Sequence, residues 1–270
     1  MFMYRADLHC HSTCSDGTST PEELLILAKE SELSAISITD HDTLDAYTDS
    51  LFEKGNAIGV KLFVGVEFST RHEGYPIHLL GYDVQKTPEI LAFCEKHQQR
   101  RLHRNRAILE KLRHLSIIIE EDELKSPKER TTGRPHIAQL LVEKGVVSTI
   151  QEAFDRFIGE GKPCFEPGES FTPEETIDVI HHSFGKAFIA HPHLVRKKSV
   201  FNDLLEMPFD GIECYYGRYH NHEKKWLRLA KEKGWLVSGG SDFHGEIKPH
   251  IRLGCSWTPK EKVQEIFGTT

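Results

Sequence analysis

The segment 5–16, RADLHCHSTCSD, constrains this chain more than any other stretch. A short run of alternating apolar residues leads into His9 and His11, and the carboxylate of Asp16 follows closely. Residues two apart on a strand point to the same side, so both imidazoles can reach one ion. Imidazole with carboxylate suits zinc, manganese or iron, whereas thiolate-rich sets suit structural zinc. A single His-x-His pair carries little weight. Similar pieces recur along the chain, however, each closing an apolar strand-like run.

Residues 5–10 read as the first strand. Thr20-Pro-Glu-Glu is a helix start, with Thr as N-cap, Pro at the first helical position and acids in the first turn. Residues 34–39 (SAISIT) read as a second strand ending in Asp40-His41-Asp42. A helix over 44–58 follows, and 61–66 (KLFVGV) read as a third strand ending at Glu67. Strand and helix alternating at this spacing imply right-handed parallel crossovers. The next strand, 76–84 (PIHLLGYDV), lies too close for that, because a parallel crossover needs about a dozen residues. An antiparallel hairpin is expected instead, and it brings His78 beside Glu67. From 88 to 165 charged helical stretches dominate, at 89–115, 135–144 and 150–158, and read as an inserted helical subdomain. Strand-like runs return at 186–190 (ending at His191), at 211–216, and at 235–239 (ahead of Asp242 and His244). Helices over 172–182, 200–206, 220–234 and 259–267 separate or follow them.

With 270 residues, 38% apolar and 28% charged, the chain supports one large globular domain carrying such an insertion. No stretch approaches the length of a membrane span and the first residues lack the order of a signal peptide, so a cytoplasmic location away from membranes is expected. The six cysteines include no CxxC pair and are read as reduced thiols. A formal charge of −7 argues against a nonspecific nucleic-acid coat. Divalent ions gathered at one site would reverse that sign locally, so an anionic substrate stays open.

His9, His11, Asp16, Asp40, His41, Glu67, His78, His191, Asp242 and His244 fall at or near the ends of separate expected strands. In an α/β barrel the catalytic groups gather at the C-terminal strand ends. The ordered series DLHCHSTCSDG, ITDHD, GVEFS, HLLGY, AHP and GSDFH resembles the motifs of the polymerase-and-histidinol-phosphatase (PHP) family, over nearly the whole chain. The resemblance implies an α/β fold, a distorted (β/α)7-type PHP barrel built from residues 1–90 and 166–270, with a helical subdomain at 91–165. It also implies up to three divalent metal ions (Mn, Zn or Fe). TTGRPHIAQLLVEKG in the insertion resembles the branch that hydrolyses nucleoside 3′,5′-bisphosphates, members of which also trim short RNA from the 5′ end.

Carried over motif by motif, the resemblance gives one metal to His9, His11, Glu67 and Asp242, and a second to Glu67, His78 and His191. A third goes to Asp16, His41 and His244. Asp16, His41, Glu67, His191, Asp242 and His244 are the implied catalytic groups, while Arg134 and His136 match positions that hold substrate phosphate. His191-Pro192-His193-Leu194 lacks the arginine and tyrosine that often follow this HP, so Arg196, Lys197 or Lys198 is expected to supply the positive charge. Clustered divalent ions polarise phosphoryl oxygens, activate water and neutralise the leaving oxygen, so no protein nucleophile is needed. The acid for the leaving group stays open between water and an imidazole. The implied substrate is a small nucleotide or a short RNA end, with no obligate protein partner. Alternatives are a phosphatase for another small monoester such as histidinol phosphate, and a non-catalytic PHP module. A missing ligand would mark the module, and no ligand is missing.

Other polar groups have plainer readings. Asp40 either caps the following helix or orients a ligand histidine. The run at 97–106, HQQRRLHRNR, is expected to form a solvated helix face, with an RNA backbone as the alternative partner. His72, His97, His103, His114, His181, His182, His220, His222 and His250 read as surface or capping residues. Cys10, between two ligands, reads as packing in the barrel wall.

Overall fold

Three parallel strands begin the fold, as the alternation of apolar runs and helix caps requires. In the computed structural model, which describes residues 3–124, 132–217 and 223–268, β1 (Arg5–Cys10) is followed by α1 (Pro21–Glu30) and β2 (Ala35–Ile38). Then come α2 (Asp49–Ile58) and β3 (Lys61–His72). Thr20 and Glu23 cap α1 reciprocally, at 3.2 Å and 2.7 Å, which satisfies two amides that the helix itself cannot. The expected helix start at Leu44 is wrong. Thr48 is the N-cap, and the 44–47 stretch turns inward so that the Tyr47 hydroxyl lies 2.7 Å from Ile38 O and accepts the Gly65 amide.

Strand β3 runs six residues past its expected end and returns as β4 (Tyr75–Tyr82) through Glu73-Gly74. Both turn residues have positive φ, 49° and 81°, the conformation that matches the twist of a two-residue hairpin. The hairpin is antiparallel, as the short connection demands, with Ser69 opposite His78 and Glu67 opposite Leu80. The helical insertion then holds α3 (Pro88–His114), α4 (Arg134–Glu143) and α5 (Ile150–Ala153), the last continuing as a wider turn to Ile158.

The chain re-enters the sheet through α6 (Pro173–His182), β5 (Lys186–Ile189), α7 (Lys198–Leu204), β6 (Gly211–Tyr216), α8 (Glu223–Lys233) and β7 (Leu236–Gly240). A two-residue strand, β8 (Thr258–Pro259), and α9 (Lys260–Phe267) complete it; β8 had no sequence signal. The leading part of the helix expected over 220–234, with His220 and His222, lies outside the described residues.

The strand order is β7-β6-β5-β4-β3-β2-β1-β8, and β4 alone among the long strands runs against both neighbours. The ends of this sheet meet and nearly close it into a barrel. His11 N donates to Phe243 O at 2.9 Å and Asp242 N to His9 O at 2.8 Å, while Asp7 accepts from Ser241 N at 2.9 Å and Gly254 N at 2.8 Å. Gly240 permits this approach, since a Cβ there would lie 2.3 Å from His9 N.

Alternation along the strands sorts the core. Ala6, Leu8, Phe63, Leu80, Tyr82 and Phe188 fill one end of the barrel against Val263 and Ile266 of α9. Burying such a side chain contributes about 1.5–3 kcal/mol. Opposite faces carry Ile36, Val66, Phe68 and Val237 toward the surrounding helices, and Cys10 packs in that layer as expected. The insertion has its own cluster around Ile108, Leu112, Ile137 and Leu141. Helix α3 serves both, with Ile90 and Phe93 in the barrel layer and Ile108 and Leu112 in the insertion. All six cysteines are free, and no described helix is long and apolar enough to cross a membrane.

Candidate metal centre

Five imidazoles surround one carboxylate at the end of the barrel away from the apolar plug. Glu67 lies on β3, 1% exposed, and its two oxygens face different partners. Oε1 is 2.9 Å from His78 Nδ1 and 2.8 Å from His191 Nε2. Oε2 is 3.3 Å from His9 Nε2, 3.1 Å from His11 Nε2 and 3.2 Å from His41 Nδ1. Asp242 Oδ1 approaches the same two rings, 3.6 Å from His9 Nε2 and 3.5 Å from His11 Nε2. Beyond His41, Asp16 reaches His41 Nε2 at 3.8 Å, His244 Nε2 at 3.4 Å and His11 Nδ1 at 3.7 Å.

Backbone geometry explains this convergence. The parallel strands deliver His9 and His11, His41, His191 and His244 at or beyond their C-terminal ends. Antiparallel β4 reaches the same rim with its first half, which is where His78 sits. His41 pairs with Glu67 in an isolated bridge, because Glu67 N donates to Asp40 O at 3.2 Å and Asp42 N to Glu67 O at 2.9 Å. Asp42, His191 and Asp242 all adopt positive φ (58°, 27° and 56°), which non-glycine residues hold only when their surroundings enforce it.

The donor set fits divalent ions. His9 Nε2, both ring nitrogens of His11, His41 Nδ1 and Glu67 Oε2 are buried and make no hydrogen bond. Leaving such groups unpaired costs about 1–3 kcal/mol each, and a cation at their intersection removes that cost. Donor atoms lie within 4.8 Å of one another in three overlapping groups: His11, Asp16, His41 and His244; His9, His11 and Glu67; His41, Glu67 and His78. Nitrogen and oxygen donors without sulfur admit manganese, zinc or iron. Burial pushes His41 down to about 3 against Glu67 and Asp16, and lowers His244 too. A metal takes an imidazole in its neutral form. Burial acts upward on Glu67 and Asp16, but the imidazoles around them outweigh it and hold both carboxyls well below their usual range.

Several supporting residues carried no readable sequence signal. Glu213, fully buried on β6, takes His9 Nδ1 at 2.8 Å and the His191 amide at 2.7 Å, so one side chain orients two donors. A carboxylate inside the apolar run GIECYY needs partners, and that is the one hint the sequence held. The second oxygen of Asp242 accepts from Tyr216 OH at 2.6 Å and Lys248 Nζ at 2.7 Å. Asp40 belongs to none of the donor groups and caps no helix. It accepts from Ser12 N at 2.7 Å and from the Ser12 and Ser15 hydroxyls, pinning the loop between His11 and Asp16.

A cleft of about 260 Å³ opens from this centre, lined by Asp16, His41, His78 and His244 together with Arg71, Arg100, Arg101, Arg104 and Arg134. Arg134, expected to hold substrate phosphate, is among the lining residues. His136 is not part of the lining, and its Nδ1 accepts the Gly133 amide at 3.0 Å at the start of α4. Arg196, Lys197 and Lys198 are exposed and do not line the cleft, whereas Lys248 does. The solvated face expected at 97–106 is overturned for half its residues. His97 is fully buried, and Arg100, Arg101 and Arg104 are 6%, 7% and 8% exposed, because that side of α3 packs on β3. His103, His114, His181, His182 and His250 are exposed, and half-buried His72 pairs with Asp203.

A buried His/Asp/Glu cluster of this kind on the rim of an α/β barrel is suited to metal-dependent hydrolysis. The model of the PHP domain matches residues 7–162. The chain is 35% identical over 266 residues to the 5′-3′ exoribonuclease Rnm of Escherichia coli (strain K12), covering 94% of this chain and 89% of that protein. It is 27% identical over 251 residues to the 3′,5′-nucleoside bisphosphate phosphatase of Chromobacterium violaceum, covering 90% and 88%. The crystal structure of a protein from Bifidobacterium adolescentis, provisionally named a metal-dependent phosphoesterase, superposes with a TM-score of 0.88 at 30% identity, over 98% of this chain and 96% of that one. The chain belongs to the PHP family.

Proposed function

We propose that the protein hydrolyses nucleoside 3′,5′-bisphosphates to the 5′-monophosphate and phosphate. The observation that carries this reading is the shared cleft, lined both by Asp16, His41, His78 and His244 and by five arginines. A substrate with two phosphates fits such a cleft, one at each set of residues. Arginine suits phosphate because its planar fork donates two parallel hydrogen bonds. The second reading, 5′-to-3′ trimming of short RNA, is favoured by the 35% identity to the E. coli exoribonuclease. If trimming releases 5′-monophosphates, the two reactions break the same bond. Water oxygen bonds to phosphorus, the bond from phosphorus to O3′ breaks, and O3′ takes a proton; only the group left on the phosphate differs.

His9, His11, Glu67 and Asp242 would hold one ion, Glu67, His78 and His191 a second, and Asp16, His41 and His244 a third. Ions there supply Lewis-acid polarisation of the phosphoryl group and activation of water. Glu213 and Tyr216 keep His9 and Asp242 oriented, Arg134 holds substrate phosphate at the cleft wall, and Lys248 adds positive charge beside Asp242. The low exposure of the donor rings keeps bulk water away from the reacting phosphate, which strengthens each of these contacts.

Phosphate release from adenosine 3′,5′-bisphosphate by protein loaded with Mn²⁺ tests this. Parallel assays hold histidinol phosphate, a short 5′-phosphorylated RNA, and a chelator. Fast, chelator-sensitive release from the bisphosphate is expected. Release from histidinol phosphate alone would refute the nucleotide reading, and activity confined to the RNA would move the function to exonuclease.

A further inference from the structure

We propose that Arg100, Arg101 and Arg104 of α3, the first two held by the buried carboxylate of Asp42, form a second anion subsite, one that grips the phosphate not being hydrolysed. The inference rests on the nucleotide reading above for its choice of substrate, and on the arginines themselves for the site. Asp42 is fully buried next to His41. Arg101 Nε donates to its Oδ2 at 2.7 Å, with a second, shorter contact from the same guanidinium; Arg100 approaches at 3.6 Å and His97 at 3.0 Å. The Ser69 amide donates to Oδ1 at 2.8 Å, which ties the cluster to β3. Ser69 answers in kind, its carbonyl accepting from Arg100 at 3.1 Å and its hydroxyl from Arg101 at 2.9 Å.

Asp42 contacts Arg100 and Arg101, while Glu160 pairs with Arg71 and Glu166, which also lines the cleft, pairs with Lys111. Arg104 is 8% exposed, its Nε makes no hydrogen bond, and the Nε of Arg100 makes none either. Burial, then the charges of Arg101, Arg134 and Arg100, push the Arg104 guanidinium well below the ordinary arginine range. Buried charge of one sign that lacks partners is costly, and an anion in the adjoining cleft supplies them.

The placement also sets a distance. Phe63, Glu67, Ser69 and Arg71 lie on one face of β3, so Ser69 stands two residues beyond Glu67, roughly 7 Å along the strand. That separation suits the two phosphates on one ribose. Asp42 is thus a positioning residue, acting on the second phosphate through arginine.

Two measurements decide the matter. In the first, metal-loaded wild type, Asp42→Asn and Arg104→Gln are assayed on adenosine 3′,5′-bisphosphate and on adenosine 3′-monophosphate, which carries the same ester without the second phosphate. Each variant should lower the ratio of kcat/KM between the two esters at least tenfold, chiefly through KM for the bisphosphate. Equal losses on both esters would overturn the proposal. In the second, inorganic sulfate is titrated calorimetrically into the full chain after chelation. Wild type should bind it saturably and Arg104→Gln at least tenfold more weakly; binding that ignores Arg104 would overturn the proposal. Should Asp42→Asn fail to fold, Arg104→Gln carries both arms alone. The sulfate arm needs no turnover, so wild type inactive on both esters would sink the nucleotide reading and leave the subsite to be judged by sulfate.

Discussion

His78 reaches Glu67 diagonally across the β3–β4 hairpin: Nδ1 lies 2.9 Å from Oε1, although Ser69 is the residue directly opposite His78. His191 meets the same oxygen from β5, and three further rings meet the other oxygen. Each oxygen of one carboxylate therefore faces its own set of imidazoles. A single side chain belongs to two of the donor groups.

Orientation of those rings gives the first prediction. Glu213 fixes His9 through Nδ1 and His191 through its amide. Replacing it with Ala should lower metal affinity or kcat/KM by about 10–100-fold, the usual cost of losing a partner behind a ligand. Metal titration of the variant checks this, and wild-type affinity would remove Glu213 from the site.

Removal of metal should also weaken the fold. The orphaned nitrogens of His9, His11 and His41 stay buried in the chelated protein, and ions at 100 times their dissociation constant contribute about 2.7 kcal/mol. For a chain of this size that amounts to a drop in Tm of roughly 5–10 °C. Thermal melts with and without chelator give the answer, and identical curves would contradict the fit.

A pH effect belongs to the insertion. Lys111 Nζ donates to Phe165 O at 2.6 Å and to Glu166 at 2.9 Å, and that hydrogen bond lowers the Glu166 pKa. A carboxyl depressed on folding stabilises above its unfolded pKa, and the contribution is lost as pH falls through the folded value. Lys111→Met should therefore cost about 0.5–1 kcal/mol at pH 7, given the partial exposure of the pair, and lose its carboxylate-dependent part near pH 3. Denaturant melts at both pH values measure it. A penalty on the Glu166→Gln background as large as on wild type would show that the carboxylate plays no part.

The histidines and carboxylates that cluster at the rim were legible because each sits in a short local motif whose strand-end position can be read from residues on either side. The hairpin followed from counting the few residues between two apolar runs. Glu213 was not legible, since its partner His9 lies 204 residues away in sequence. Arg100, Arg101 and Arg104 read as a solvated face because a charged helix shows no period that separates a wet side from one packed on a distant carboxylate. Asp42, 59 residues before Arg101, decides which it is. The helix start misplaced at Leu44 has the same origin: Leu44, Ala46 and Tyr47 are apolar because they bury against β2 and β3, not because they belong to a helix.

The bridging role of Glu67 is tested most directly by the metal content of Glu67→Gln against wild type, measured by elemental analysis after loading with Mn²⁺ and removal of free ion. The amide is similar in size but carries no charge to share, so the variant should lose the two ions whose donors meet at Glu67. It should keep the ion placed among Asp16, His41 and His244, and turnover should vanish. Wild-type metal content with near-normal turnover would contradict the account.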